Sequence, residues 1–358
     1  MNILALLTDG FGASGGIAQY NRDLLTALSQ SASVERVTVL PRFGHGDAQM
    51  PERVTQAAAR PHPLRWSAEA ARLALSRRFD VIFCGHLNTA PLAAALARLS
   101  GARIWLQVHG IEAWTAPRSL ANRAAAQSTL VTSVSRHTRR QLLGWCNIAP
   151  ERVRVLPNTV SSAFSRQPRR ADLVQRHKLA GKRVILTVGR LASTERYKGH
   201  DRLIRALPDI AADVPEAVYL IVGSGPDLPR LAALAQALGV AGRVVFAGQV
   251  PADELPDYFA LADVFAMPST GEGFGIVFLE AAASGLPVIA GDADGSADAL
   301  ADGAIGTLID PASQDELVRA SVAALQGLLP NDPAAVQRFA FANFARHVND
   351  LVEHLIAA

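Results

Sequence analysis

Lysine is almost absent from this chain. Among 358 residues there are 3 lysines, Lys178, Lys182 and Lys198, against 32 arginines. The first 160 residues hold no lysine and carry 18 arginines against 9 acidic residues, whereas the rest carries 17 basic residues against 23 acidic ones. A basic first part and an acidic second part point to different partners. The first suits anionic lipid headgroups or a diphosphate-bearing acceptor, the alternative being a solvated arginine surface. Cysteine is scarce as well: Cys84 and Cys146 have no metal-type spacing, which excludes a disulfide framework and predicts free thiols in a reduced cytoplasm. Aromatic residues make up 6% and are not interleaved with the basic ones, which argues against nucleic acid as a partner. No apolar run approaches the roughly 20 residues a membrane span needs. The apolar opening Ile3–Leu7 has no basic segment before it and ends at Asp9-Gly10, so it reads as a first strand and not a signal peptide. The expected location is cytoplasmic, with peripheral attachment at an inner membrane. No Asp-x-Asp pair sits where it would bridge a metal to a diphosphate. Asp292-Ala-Asp294 reads as a loop, and neither metal nor cofactor is expected.

What is present describes a large globular protein. Hydrophobic residues reach 49% with a mean hydropathy of +0.17, and the length exceeds one typical core. Short apolar runs alternate with helical stretches: Ile3–Leu7, Val37–Leu40, Val81–Cys84, Ile104–Val108 and Leu130–Ser133 first, then Arg183–Val188, Val218–Val222, Val244–Phe246, Val264–Met267, Val288–Ala290 and Thr307–Ile309. Apolar strands without polar alternation belong to parallel sheets covered on both faces, and helices between them make βαβ units. The polar, Pro-containing stretch near residues 157–172 reads as a linker. The predicted fold is therefore α/β, two Rossmann-like domains with parallel sheets facing a central cleft. The first domain spans 1–160 and the second 161–340. Residues 341–358 form a terminal helix expected to pack back on the first domain.

The candidate site lies at strand ends. Ser269-Thr-Gly-Glu-Gly-Phe-Gly-Ile-Val-Phe-Leu-Glu280 follows an apolar strand and opens a small-residue helix. Glu272 sits in a glycine-rich loop, Glu280 is expected about two turns into the helix, and the helix N-terminus between them offers unpaired N–H groups. That suits a ligand with a phosphate and sugar hydroxyls. Arg190 ends one strand, and Lys198 stands directly before the helix-opening Gly199. Together they could neutralise a diphosphate, the alternative being a surface ion pair with Glu195. Gly225 lies in another strand-to-helix turn, and Val250 follows a strand where backbone groups could frame a base pocket. In the first part, Gly10, Gly12 and Gly15, followed by Gly16, match a glycine-rich phosphate loop. The next strand runs into Pro41-Arg42 instead of an acidic residue, which disfavours NAD and leaves an NADP oxidoreductase as an outside reading. His109 closes an apolar strand and should open into the cleft.

Taken together, these motifs resemble the retaining, nucleotide-sugar-dependent glycosyltransferases of family 4, which have the GT-B fold. The resemblance spans most of the chain and is strongest from Pro157 to Ala290. It implies transfer of a hexose from a UDP- or GDP-linked donor to an acceptor hydroxyl, without metal and with retention. It assigns Glu272, with the backbone of Phe274 and Gly275, to the donor sugar. Ile276 and Val277 then meet the diphosphate, Glu280 the ribose, Arg190 and Lys198 the diphosphate again, and His109 the donor sugar, while Gly16 matches the family's N-terminal loop glycine. The Arg-rich first part suggests a lipid-linked or otherwise anionic acceptor, as in surface-polysaccharide assembly. The Arg190–Lys198 spacing of eight exceeds the family's common five, and Asp298 stands where many members place Glu. Alternatives are a nucleotide-sugar epimerase on the same fold and a non-catalytic nucleotide-sugar-binding partner.

Overall fold

The computed structural model describes residues 1–13, 15–44, 49–117, 119–329 and 332–357. The chain divides into two compact units, Met1–Thr159 with Phe341–Ala358, and Val160–Ala340. In chain order, the first contains β1 (Asn2–Asp9), α1 (Gly16–Gln30), β2 (Arg36–Phe43), β3 (Val54–Gln56), α2 (Pro63–Ser76), β4 (Val81–Cys84), α3 (Ala90–Ser100), β5 (Arg103–Val108), α4 (Ser119–Ala126), β6 (Leu130–Ser133), α5 (Arg136–Trp145) and β7 (Val153–Val155). The strands form one parallel sheet in the order β3-β2-β1-β4-β5-β6-β7. Ile3 to Leu7 are all buried, as a strand covered on both faces requires.

The second unit holds α6 (Ala171–Arg176), β8 (Arg183–Val188), α7 (His200–Asp213), β9 (Ala217–Val222), α8 (Leu228–Ala237), β10 (Val244–Gly248), α9 (Leu255–Ala260), β11 (Val264–Met267), α10 (Ile276–Ala283), β12 (Val288–Gly291), α11 (Ser296–Ala299), β13 (Thr307–Ile309) and α12 (Gln314–Leu325). Its parallel sheet runs β10-β9-β8-β11-β12-β13. The core is built from Ile185, Ile204, Leu207, Tyr219, Ile221, Val264 and Ile289 among others. Removing one such aliphatic side chain costs about 2–5 kcal/mol, because lost burial adds to the cavity left behind.

α13 (Phe341–Ala357) belongs to the first unit. Its buried Phe344, Val348, Val352 and Leu355 recur at helical spacing and make one apolar stripe. It packs on α1, with Phe344 edge-on to Tyr20 at 6.0 Å, and Ser31 Oγ donates to Asn349 Oδ1 at 2.8 Å.

Three differences from the sequence reading have simple causes. The strands β3 (Val-Thr-Gln) and β7 (Val-Arg-Val) are short and interrupted by polar residues, so no apolar run marks them. The short helices α4 and α6 bury little apolar bulk, among the described residues only Ala124 and Ala125 on the first and Leu173 on the second. And α10 starts at Ile276, with Gly275 as its cap at φ 85°, so Glu280 sits one turn into the helix and not two. The sheets also show where a site belongs. Each starts in the middle, builds outward on one side, then crosses to the other. The strand order therefore reverses between β1 and β4 and between β8 and β11, and the loops diverge there beyond the carboxyl ends.

Candidate active site

In the second unit, the loops after β8 and β11 interlock. After β8 the chain runs through Arg190 and a turn, Arg196–Lys198, before α7 begins at His200. After β11 it carries Ser269 to Gly275 into α10. Thr270 N–H donates to the Tyr197 carbonyl at 2.9 Å, and the Arg202 guanidinium donates to the Pro268 carbonyl at 2.8 Å. These bonds bring Lys198 to Glu272, and the ammonium donates to the Glu272 carboxylate. Both side chains are largely buried, at 13% and 14% exposure. Desolvated to this degree, the pair holds its geometry more firmly than a surface ion pair.

Arg190 points outward, 79% exposed, and its guanidinium is paired with Glu195. The other oxygen of Glu195 lies 4.0 Å from Lys198 Nζ. Two cations and two carboxylates therefore alternate along one rim. The ion pair between Arg190 and Glu195, weighed in the sequence as an alternative, is present.

Behind Glu272 stands a residue the sequence reading passed over. Asp294 is 2% exposed and accepts three hydrogen bonds, from Glu272 N–H at 2.7 Å, Ser269 Oγ at 2.9 Å and Ser296 N–H at 2.9 Å. Gly295 N–H returns a bond to the Glu272 carbonyl at 2.8 Å. The loop bearing Glu272 is thus clamped from its backbone. A signal for this was present in the sequence. An aspartate two residues before a short helix is placed to accept from that helix's first N–H.

α10 completes this side. Gly275 has φ 85°, and a Cβ there would meet the Phe278 ring at 2.4 Å, so the sharp entry into the helix needs glycine. No side chain caps the helix start, and it contains no acidic residue in its first turn. The N–H groups at Ile276 and Val277 are therefore suited to an anion. Phe274 is buried, and Glu280 is 9% exposed on the same helix. Gly225 lies beyond β9, where Leu191 N–H donates to Ser224 O at 2.9 Å. Val250 sits two residues past β10, at the outer edge of the sheet and away from the β8/β11 reversal.

His200 underlies Lys198 and adds a directed chain of hydrogen bonds. The Thr187 hydroxyl donates to the Ala266 carbonyl at 2.5 Å, and Tyr219 OH donates to Thr187 at 2.9 Å. Tyr219 must therefore accept from His200 Nδ1 at 3.0 Å, which puts a proton on Nδ1. Burial, helped by the Lys198 charge, pushes His200 down to about 4.

In the first unit, Gly15 caps α1 with φ 105° and Gly16 opens it, with no acidic residue in the first turn. Ser14 lies outside the described residues. The preceding loop is held by Gln56, which accepts from Phe11 N–H at 2.9 Å and donates to its carbonyl at 3.2 Å. His109 follows β5 and faces the Gly85 carbonyl through Nε2 at 3.1 Å. A carbonyl only accepts, so Nε2 carries the proton and Nδ1 is left as an acceptor. Burial pushes this ring down to about 4, opposed by the nearby Glu112. Tyr20 packs edge-on against His109 at 5.1 Å and anchors its own hydroxyl on Gln107 at 2.7 Å. Both cysteines are free and buried. Among the described residues, no cluster of three or more His, Cys, Asp or Glu side chains is arranged to hold a metal ion. No helix among them is long and apolar enough to cross a membrane.

Comparison with known proteins resolves the family. Residues 169–331 match the model for glycosyl transferases group 1, and residues 14–164 match that for glycosyltransferase family 4. A GDP-mannose-dependent alpha-(1-6)-phosphatidylinositol monomannoside mannosyltransferase of Mycolicibacterium smegmatis is 36% identical over 262 residues, covering 70% of this chain and 68% of that protein. The chain belongs to the group 1 glycosyltransferases. A D-inositol 3-phosphate glycosyltransferase of Acidothermus cellulolyticus is 36% identical over 225 residues, 56% of this glycosyltransferase and 49% of that protein. In fold, the glycosyltransferase is similar to Anabaena HepE in complex with UDP and glucose, with a TM-score of 0.80 at 21% identity over 99% of this chain and 100% of that one. Sucrose-phosphate synthase from Thermosynechococcus elongatus gives 0.77 at 22% identity, covering 100% of both chains. The GT-B architecture of two parallel-sheet α/β domains is thereby established.

Proposed function

We propose that this glycosyltransferase moves mannose from GDP-mannose to a lipid-linked acceptor hydroxyl, with retention at the anomeric carbon and without a metal. The observation that carries the reading is the junction of Lys198, Glu272 and the open α10 N-terminus on two interlocked loops. The mannose and GDP assignment is supported by the 36% identical mannosyltransferase. As the C1–O bond to the diphosphate breaks, negative charge grows on the leaving phosphate oxygens. Arg190, Lys198 and the N–H groups of Ile276 and Val277 stabilise that charge where it develops. Glu272 accepts hydrogen bonds from the sugar hydroxyls once Lys198 turns to the phosphate, and Glu280 takes the ribose diol. The acceptor oxygen bonds to C1 on the face the diphosphate leaves, and its proton passes to a phosphate oxygen. His109, kept neutral at working pH by burial, is suited to act as a hydrogen-bonding group and not as a charge.

The acceptor side is supported by surface chemistry of the first unit. The adjacent helices α2, α3 and α4 expose Leu64, Leu75, Leu99 and Leu120 among Arg65, Arg98 and Arg123. Exposed leucines set among arginines suit the surface of an anionic bilayer, on the cytoplasmic side. Each such arginine contributes about 1 kcal/mol of attraction near the bilayer, screened by salt.

The test is transfer from GDP-mannose to a phosphatidylinositol-type acceptor, with the product's anomeric configuration read by NMR. An α-linked product from the α-linked donor is expected. A β-linked product would refute retention, and use of UDP-glucose in preference would refute the donor.

A further inference from the structure

Glu195 has no task in the chemistry above, yet it stands between the two cations the chemistry uses. One of its oxygens accepts from Arg190, and the other lies 4.0 Å from Lys198 Nζ. The side chain is only 12% exposed, and Oε2 is buried with no hydrogen-bond partner among the described residues. A half-satisfied, desolvated carboxylate is costly to maintain. The local backbone delivers it there. Glu195 N–H bonds the Ala192 carbonyl at 2.9 Å and Lys198 N–H bonds the Glu195 carbonyl at 3.1 Å, folding the long Arg190–Lys198 loop inward.

We propose that Glu195 is a displaceable counter-anion, which holds Arg190 and Lys198 until the donor's diphosphate takes its place and which drives the nucleotide product out afterwards. This rests on the reading of those two cations as diphosphate-binding. The charges of Arg190, Lys198, Glu195 and Glu272 cancel. A diphosphate arriving on the cations sets its negative charge beside Glu195, and like charges at that distance repel. The carboxylate must swing away, which weakens nucleotide binding and speeds product release. A purely structural Glu195, one that only props the two cations in place, makes the opposite prediction: its loss would weaken nucleotide binding.

The experiment is calorimetric titration of GDP and UDP into wild type, Glu195→Gln and Glu195→Ala, each at low and high salt, with Lys198→Ala as reference. Gln keeps the shape and an oxygen for Arg190 while removing the charge. The tighter-binding nucleotide is expected to bind Glu195→Gln about 10-fold more tightly, or about 1.4 kcal/mol, with a steeper salt dependence. Glu195→Ala shifts the same way, and the product becomes a stronger inhibitor of turnover. Unchanged or weaker binding in both variants overturns the proposal while leaving the donor site intact. If wild type binds neither nucleotide, or binds as well after Lys198→Ala, the donor reading itself falls and this inference with it.

Discussion

Lys198 is the residue on which most of the proposed chemistry converges: it is the largely buried partner of Glu272, and in the proposal it is also the cation for the leaving diphosphate. Replacing Lys198 or Glu272 by alanine is expected to cut the transfer rate by about 10²–10³-fold, the cost of losing one preorganised group aimed at developing charge. Initial-rate measurements on each variant check this. Asp294 acts one step back, through the backbone of Glu272. Asp294→Ala should lower the stability of the second unit by about 2–3 kcal/mol, since charge-assisted bonds from Glu272, Ser269 and Ser296 lose their acceptor. Transfer should fall with it, and Asp294→Asn should recover part of both. Denaturant melts and steady-state rates read the two effects. At this scale the residue types that bear charge in loops were legible: Lys198 stood out because lysine is rare, and Glu272 and Glu280 because glycine surrounds the first. Asp294 was legible only as part of a loop and Glu195 only as a surface ion-pair partner, because their further roles depend on which loops meet, and that is set by sheet order instead of local spacing.

Among the elements, the strands of the second unit decide how closely the site loops approach. Gly223, just past β9, has φ 141°, and a Cβ there would come within 1.9 Å of the Gly189 carbonyl. Gly223→Ala forces either the backbone or the β8 loop to shift, at a cost of about 2–4 kcal/mol. The midpoint of chemical denaturation should drop accordingly, and donor binding should weaken, because Gly189 carries the chain into Arg190. The longer apolar strands and helices were readable from the sequence, since a parallel sheet buried on both faces leaves apolar runs such as Ile3–Leu7 and Val184–Leu186. What the sequence could not show was the short edge strand β3, whose Gln56 nevertheless pins the glycine loop of the first unit. Val54-Thr55-Gln56 offers no apolar run, and its pairing with β2 is a matter of tertiary packing.

For the whole molecule, buried histidines set the response to acid. His109 and His200 are both pushed down to about 4 by burial, so the folded chain binds fewer protons than the unfolded one between about 4 and the ordinary 6.5. Stability is therefore full above that window and is lost as pH falls through it, up to about 3 kcal/mol for the deeply buried His200. Asp23 works the other way: burial raises it to about 7, so its folded state gains protons, and relative stability, as pH falls from 7. Urea melts at pH 7 and 4.5 should show a decline in wild type that shrinks in His200→Gln, which removes the titrating ring and leaves Asp23 unchanged. The central claim concerns the donor site, and its most direct measurement is a screen of nucleotide sugars for hydrolysis without acceptor, run on wild type, Lys198→Ala and Glu272→Ala. The account predicts that GDP-mannose is consumed by the wild type and that both variants lose about 10²-fold or more of that rate. Full activity in both variants, or consumption of no nucleoside diphosphate sugar by the wild type, would contradict it.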